Sequence, residues 1–362
     1  MFRNLKNVLR RLGWREYPAR ELARFLLYCS ARHDPAELLA RLNLPEGEQA
    51  DTVRQEVLDP DPYRFTEYVI RLTEPVSVEP IHGMVVASGH RLISGLFDVH
   101  RTVAVPPPSL FGHCLSARRP IEVEEAILLR HHYGEDNYFH FYSDVLSKFA
   151  MFPRHPEMDR LPLIVSRRQF DMPFFQAMIR RARLEDRTWI VQDGQCVRVQ
   201  RLWCIKSRNL TRAWIEHLWE FLRIPEPVAL PARRIYLRRG TAVRRPMQNQ
   251  TEVEALLRSA DFETVDTALM SLDQQIELFA TARYVVAEHG AGCVNIIHRR
   301  GAPLALLELF PPRHVSTAFF LISHILGYEY RCLRGSLPGD GSDGFRMDLS
   351  QVESATKAMC HA

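Results

Sequence analysis

Residues 284–312, YVVAEHGAGCVNIIHRRGAPLALLELFPP, constrain this chain more than any other stretch. Residues 284–287 are apolar or β-favouring without polar alternation, the pattern of a strand buried on both faces. Glu288, His289, Gly290, Ala291 and Gly292 follow. Two glycines around one alanine let the backbone turn sharply and let a ligand approach the main chain. Residues 293–297 suit the first turns of a helix, whose leading amides and positive dipole end would face whatever lies over the turn. A phosphate suits that place. Gly301, Ala302 and Pro303 stop the helix, and residues 304–309 predict a second buried strand with Glu308 near its carboxyl end. Such a βαβ unit crosses over right-handed and gathers ligand groups at its strand ends.

Other stretches offer partners for this turn. Residues 234–237 (RIYL) predict a strand running into Arg238, Arg239 and Gly240, then Arg244 and Arg245. Arginine in a strand-end loop can grip a diphosphate with two prongs. Arginine pairs also sit well in solvent, and both readings stay open for Arg244 and Arg245. Ser271, Leu272, Asp273 and Gln274 form a capping box, and Ile276, Phe279 and Ala280 give its helix one apolar face. Upstream, residues 136–146 read DNYFHFYSDVL. His140 and Asp144 are four apart, so one helix face can carry both. His140 is either a histidine packed among aromatics or part of a sugar-stacking cleft. His289 is read as a ligand contact, because a polar ring between a buried acid and two glycines needs a purpose. Asn295 either caps the helix or touches the ligand. Glu308 meets ribose hydroxyls or a backbone cap.

HGAGxxN followed by a strand ending in ELFPP resembles the C-terminal signature of glycosyltransferase family 61. That family includes bacterial capsular-polysaccharide enzymes and eukaryotic xylosyl- and N-acetylglucosaminyltransferases. Its Tyr-Ile-Ser-Arg, basic pair and Asn-Glu-x-Glu-Val are matched by Tyr236, Arg239, Arg244, Arg245, Asn249, Glu252 and Val253. Arg238 replaces the serine, and Gln250 replaces the first glutamate. The family's N-terminal motif is matched by Asn137, His140 and Asp144, with Phe141 where tryptophan is usual and Leu146-Ser147 for Leu-Pro. The match is close over residues 234–312 and partial over 122–205.

The resemblance implies a GT-B-like pair of Rossmann-type α/β domains facing a cleft. It implies inverting transfer of a sugar from a nucleotide-sugar, UDP-linked, to a glycan or polysaccharide acceptor, with no cofactor and no essential metal. The catalytic candidates are His140, Asp144 and His289. The donor-binding candidates are Arg239, Arg244, Arg245, Gly290, Ala291, Gly292, Asn295 and Glu308. The alternative is a non-catalytic nucleotide-sugar-binding or scaffold protein of a polysaccharide assembly system. An esterase would need a GxSxG elbow beyond the HGAG echo of an oxyanion motif, and the chain has none. No GxxxxGK[ST] supports an ATPase.

The predicted organisation has four parts. They are a helical N-terminal extension (1–74), an acceptor-side Rossmann-like domain (75–224), a nucleotide-sugar-binding Rossmann-like domain (225–335), and a C-terminal loop and helix (336–362). Pro225 and Pro227 mark the boundary between the two domains. Strand–helix alternation before them predicts a parallel sheet. Within residues 1–20, Arg3, Lys6, Arg10, Arg11, Arg15 and Arg20 face a lone Glu16, with Phe2, Leu5, Leu9 and Leu12 at helical spacing. That helix either packs on the protein or makes a peripheral contact with an anionic membrane. Asp59-Pro60-Asp61-Pro62 spells DxD, but its prolines predict a turn. A net charge of +4 is too small to argue for nucleic acid. The 7 cysteines are odd in number and form no CxxC, which suits a reducing compartment. No apolar run approaches the roughly 20 residues of a membrane span, and none near residue 1 resembles a signal peptide. The expected location is cytoplasmic, with the inner face of the cell membrane as the place of any peripheral contact.

Overall fold

The computed structural model describes residues 67–88, 91–93, 118–131, 134–135, 137–206, 210–227, 233–240, 246–312, 316–338 and 344–361. It also gives the backbone of the strands Arg15–Glu16 and Leu26–Cys29. Two compact units result. Among these residues, one holds 15–16, 26–29 and 67–206, and the other holds 210–361.

The first unit is built on one mixed sheet. Its strands are β1 (Arg15–Glu16), β2 (Leu26–Cys29), β3 (Tyr68–Leu72), β4 (Val76–Val78), β5 (Val85–Ala87), β6 (Arg91–Leu92), β7 (Ile121–Leu128), β8 (Leu163–Ser166), β9 (Trp189–Gln192) and β10 (Val197–Lys206). The main path runs β1-β6-β5-β4-β10-β7-β8-β9, with β3 also on β10 and β2 on β3. Strands β10, β7, β8 and β9 pair in parallel, as the alternation of strand and helix predicts. The sheet is nevertheless not purely parallel, because β10 gives its other edge to β3 and β4 in antiparallel register. Leu72, Val78, Val85, Ala126, Ile164, Val197 and Leu202 fill the core. Helix α1 (Pro173–Ala182) joins β8 to β9.

The helical extension expected over residues 1–74 is corrected wherever the chain is described. Arg15–Glu16 pairs with Arg91–Leu92, and Leu26–Cys29 pairs with Tyr68–Leu72. A short apolar run such as Leu26-Leu27-Tyr28-Cys29 suits helix and strand alike, and the edge of β3 selects the strand. Residues 1–14, 17–25 and 30–66, with the DxD at 59–62, lie outside the described residues.

The second unit is a doubly wound parallel sheet. Its strands are β11 (Arg233–Leu237), β12 (Glu263–Val265), β13 (Ala282–Glu288), β14 (Ala305–Phe310) and β15 (Glu329–Arg334), in the order β12-β11-β13-β14-β15. All the pairings are parallel. Its helices are α2 (Arg212–Phe221), α3 (Gln250–Ser259), α4 (Leu272–Ala280), α5 (Ala318–Leu326) and α6 (Leu349–His361). Ser271 and Gln274 close the predicted capping box at the start of α4. Asn249, at the start of α3, instead clamps the chain before α6: its amide donates to Met347 O and accepts from Met347 N, both at 2.9 Å. Helix α2 belongs here although it precedes the prolines at which the sequence places the boundary. Trp219 Nε1 donates to Ile297 O at 2.7 Å, and Arg300 donates to Ile224 O at 2.9 Å. Among the described residues, no helix is long and apolar enough to cross a membrane.

Candidate active site

Strand order reverses between β11 and β13, so the loops leaving these two strands diverge around a crevice at the carboxyl edge. Open α/β sheets bind ligands at such a switch point. The loop after β11 carries Arg238, Arg239 and Gly240, and the loop after β13 carries residues 289–292. The sequence-predicted arginine and the glycine turn therefore meet. Arg239 donates from Nη1 to His289 O at 3.1 Å. Its side chain also lies across Gly290, where an added Cβ would come within 3.1 Å of Nε. At Gly292 a Cβ would stand 2.8 Å from Thr267 Oγ1 and 3.5 Å from Leu237. A side chain at Gly292 would thus force Thr267 aside, and one at Gly290 would push on Arg239. Beyond the turn, Ala291–Arg299 forms a helix as expected, but of the 3₁₀ kind. Its first bond runs from Cys293 N to Gly290 O, so the amides of Ala291 and Gly292 precede it. Leading amides of this sort are the groups a phosphate takes up.

Four buried polar side chains, His289, Glu308, Glu288 and Asn295, brace the turn. His289 Nδ1 lies 2.6 Å from Glu308 Oε1, and its ring stacks on Phe310 with centroids 4.8 Å apart. Glu308 is fully buried, and its other oxygen accepts from Tyr330 at 2.8 Å. Both oxygens thus go to protein donors, so Glu308, expected to meet ribose hydroxyls or a backbone cap, instead braces the His289 ring. Glu288, also buried, accepts from Tyr236 at 2.7 Å and Gln250 at 2.6 Å. Burial raises the Glu288 pKa, against the pull of Gln250, Tyr236 and Arg239. Gln250 also donates to Arg239 O at 3.1 Å. A glutamate there would set a second carboxylate beside Glu288, so the departure from the family pattern has a local electrostatic logic. Asn295 is fully buried, with Nδ2 donating to Gln275 at 2.7 Å, which ties the 3₁₀ helix to α4. Arg244 and Arg245 lie outside the described residues.

The first unit carries the other candidate pair. Asn137 accepts from the amides of Phe139 and His140 and so caps the short helix Tyr138–His140. The chain then widens into a π turn over Phe141–Val145 and tightens to 3₁₀ over Leu146–Arg154. Single π turns of this kind often mark functional positions. Here the turn holds His140 Nδ1 2.8 Å from Asp144 Oδ2, which also accepts from Ser143 at 2.5 Å. Burial alone would raise the Asp144 pKa. His131 and His140 beside it, with bonds from His140 and Ser143, outweigh it and hold the carboxyl well below its usual range. The His131 ring stacks 6.2 Å from that of His140. Phe141 is fully buried against Phe174 and Phe175, with centroids 4.7 and 5.9 Å away. Phenylalanine in place of tryptophan is therefore a packing change.

Sequence reasoning did not find Tyr330, His131 or the Tyr236–Glu288–Gln250 cluster. A buried acid announces that partners exist, but which strand supplies them depends on sheet order. Among the described residues, no group of three or more metal-ligating side chains comes together. No curated protein matches the chain. The family model described as Glycosyltransferase 61 matches residues 138–301, from the helix that bears His140 to the end of the 3₁₀ helix after the glycine turn. That span holds His140, Asp144, Arg239 and the whole of 288–292, and over it the chain is similar to glycosyltransferase family 61.

Proposed function

We propose that this chain transfers a sugar from a nucleotide-sugar, UDP-linked, to a glycan or polysaccharide acceptor with inversion at the anomeric carbon. The reading includes the GT-B organisation that the resemblance implies, with one Rossmann-like unit for each substrate. The observation that carries it is the meeting of Arg239 with the Gly290–Gly292 turn at the switch point of the second sheet. Cationic and amide donors there stabilise negative charge on the departing diphosphate, where it develops during reaction. The acceptor hydroxyl attacks the anomeric carbon as the bond to the diphosphate oxygen breaks. Its proton passes to His140, and Asp144 holds that ring through Nδ1. His289 contacts the donor.

The test pairs a panel of nucleotide-sugars with glycan acceptors and reads product by proton nuclear magnetic resonance. The expected product has the anomeric configuration opposite to that of the donor. Retention, or no product with any donor that binds, contradicts the reading, and the second result favours a binding or scaffold protein. His140→Ala should lower turnover by about 10²–10⁴, the usual share of general-base catalysis, with donor affinity unchanged.

A further inference from the structure

Tyr330 has no part in the chemistry described so far, and it lies outside the residues matched by the family model. Strand register brings it to the site. Glu308 pairs with Cys332 across β14 and β15, and Tyr330, two residues before Cys332, projects from the same face. Its hydroxyl donates to Glu308 Oε2 at 2.8 Å, while Glu308 Oε1 holds His289 Nδ1 at 2.6 Å. Burial, and then the charge of Glu308, raises the phenol pKa well above its usual value, so the hydroxyl keeps the proton it donates. Phe320 meets the Tyr330 ring edge-on at 5.3 Å. Phe310 and Phe319 flank the His289 ring at 4.8 and 5.8 Å. The three side chains form one line from β15 through β14 to the residue that opens the glycine turn.

Resting on the reading of that turn as the donor site, we propose that Tyr330 is a positioning residue for nucleotide binding: it fixes the Glu308 carboxylate, and through it the plane and tautomer of the His289 ring. A carboxylate that holds one ring nitrogen sets both properties of an imidazole. Glu308 has no solvent to fall back on. Without the Tyr330 hydroxyl, one of its oxygens would be buried and unpartnered, and the carboxyl would rotate or take up a proton. Either response releases the ring.

The test is a double-mutant cycle on affinity, measured by calorimetry with UDP, GDP, ADP, CDP and TDP. The tightest binder is carried through parent, Tyr330→Phe, His289→Ala and the double variant. Tyr330→Phe keeps the packing against Phe320 and should weaken binding about 2- to 10-fold, the worth of one net hydrogen bond. In the His289→Ala background it should cost nothing further. The same cycle with Glu308→Gln, a variant that can still bridge both partners without charge, should also be non-additive. Equal losses in both backgrounds would mean that Tyr330 acts on the fold at large, and would overturn the proposal. So would unchanged affinity in Tyr330→Phe. If His289→Ala binds as tightly as the parent, the His289 contact falls and the proposal with it, while the nucleotide site stands. A parent that binds none of the five compounds would overturn the donor site itself.

Discussion

Gly292 leaves no room for a side chain. A Cβ there would press on Thr267 Oγ1 at 2.8 Å, with Leu237 behind it at 3.5 Å. Gly292→Ala should therefore destabilise the protein by about 1–3 kcal/mol, the ordinary cost of overpacking. Denaturant midpoints check this, and an unshifted midpoint would show that Thr267 swings aside freely. Asp144 gives a second residue-level prediction, in pH. Its folded-state pKa is depressed, so its contribution to stability is present above the unfolded value of about 3.9 and is lost as pH falls through the folded value. Asp144→Asn should then be less stable than the parent at pH 7, with the gap closing below about pH 4. A gap that is the same at pH 3 and pH 7 would show that the carboxylate charge is not what stabilises the π turn. At this scale the sequence named the residues but not their wiring. His289, Glu308, Arg239 and the two glycines were legible because glycine and buried charge in a strand–turn–helix pattern have few uses. That Glu308 serves His289, and that Asn295 serves Gln275, follows from strand order and helix packing, which spacing does not reveal.

The elements of the second unit were largely legible. β11, β13 and β14 are short apolar runs bounded by turn residues, and α4 opens on a capping box written out in four letters. Other elements of the chain were not. Leu26–Cys29 is a strand because β3 offers an edge, a non-local fact. The 3₁₀ form of Ala291–Arg299 also escapes apolar periodicity, since residues 293–299 are buried on every side. Helix α2 carries a prediction of its own. His217 stacks on Phe221 at 5.4 Å, and its Nε2 is buried without a hydrogen-bond partner among the described residues. Burial lowers its pKa to about 4. The neutral ring thus suits the fold, and stability is lost as pH falls from about 6.5 toward the folded value. His217→Leu should flatten the loss of stability between about pH 6.5 and 4, as read by thermal midpoints across that range. Parallel curves for the two proteins would contradict this.

For the whole molecule, the described residues fall into two compact α/β units. Their border was misplaced because two prolines look like a linker, whereas the packing of Trp219 onto the 3₁₀ helix decides where α2 belongs. The function proposed for the molecule rests on its second unit holding a nucleoside diphosphate over Gly290–Gly292 with Arg239 beside it. Calorimetry on the parent and on Arg239→Ala, with the tightest-binding nucleoside diphosphate, tests that directly. Arg239→Ala should lose about 1.5–3 kcal/mol, the range for hydrogen bonds to a charged group, or roughly 10- to 150-fold in affinity. An Arg239→Ala protein that folds and binds the nucleotide as tightly as the parent would contradict the placement of the donor.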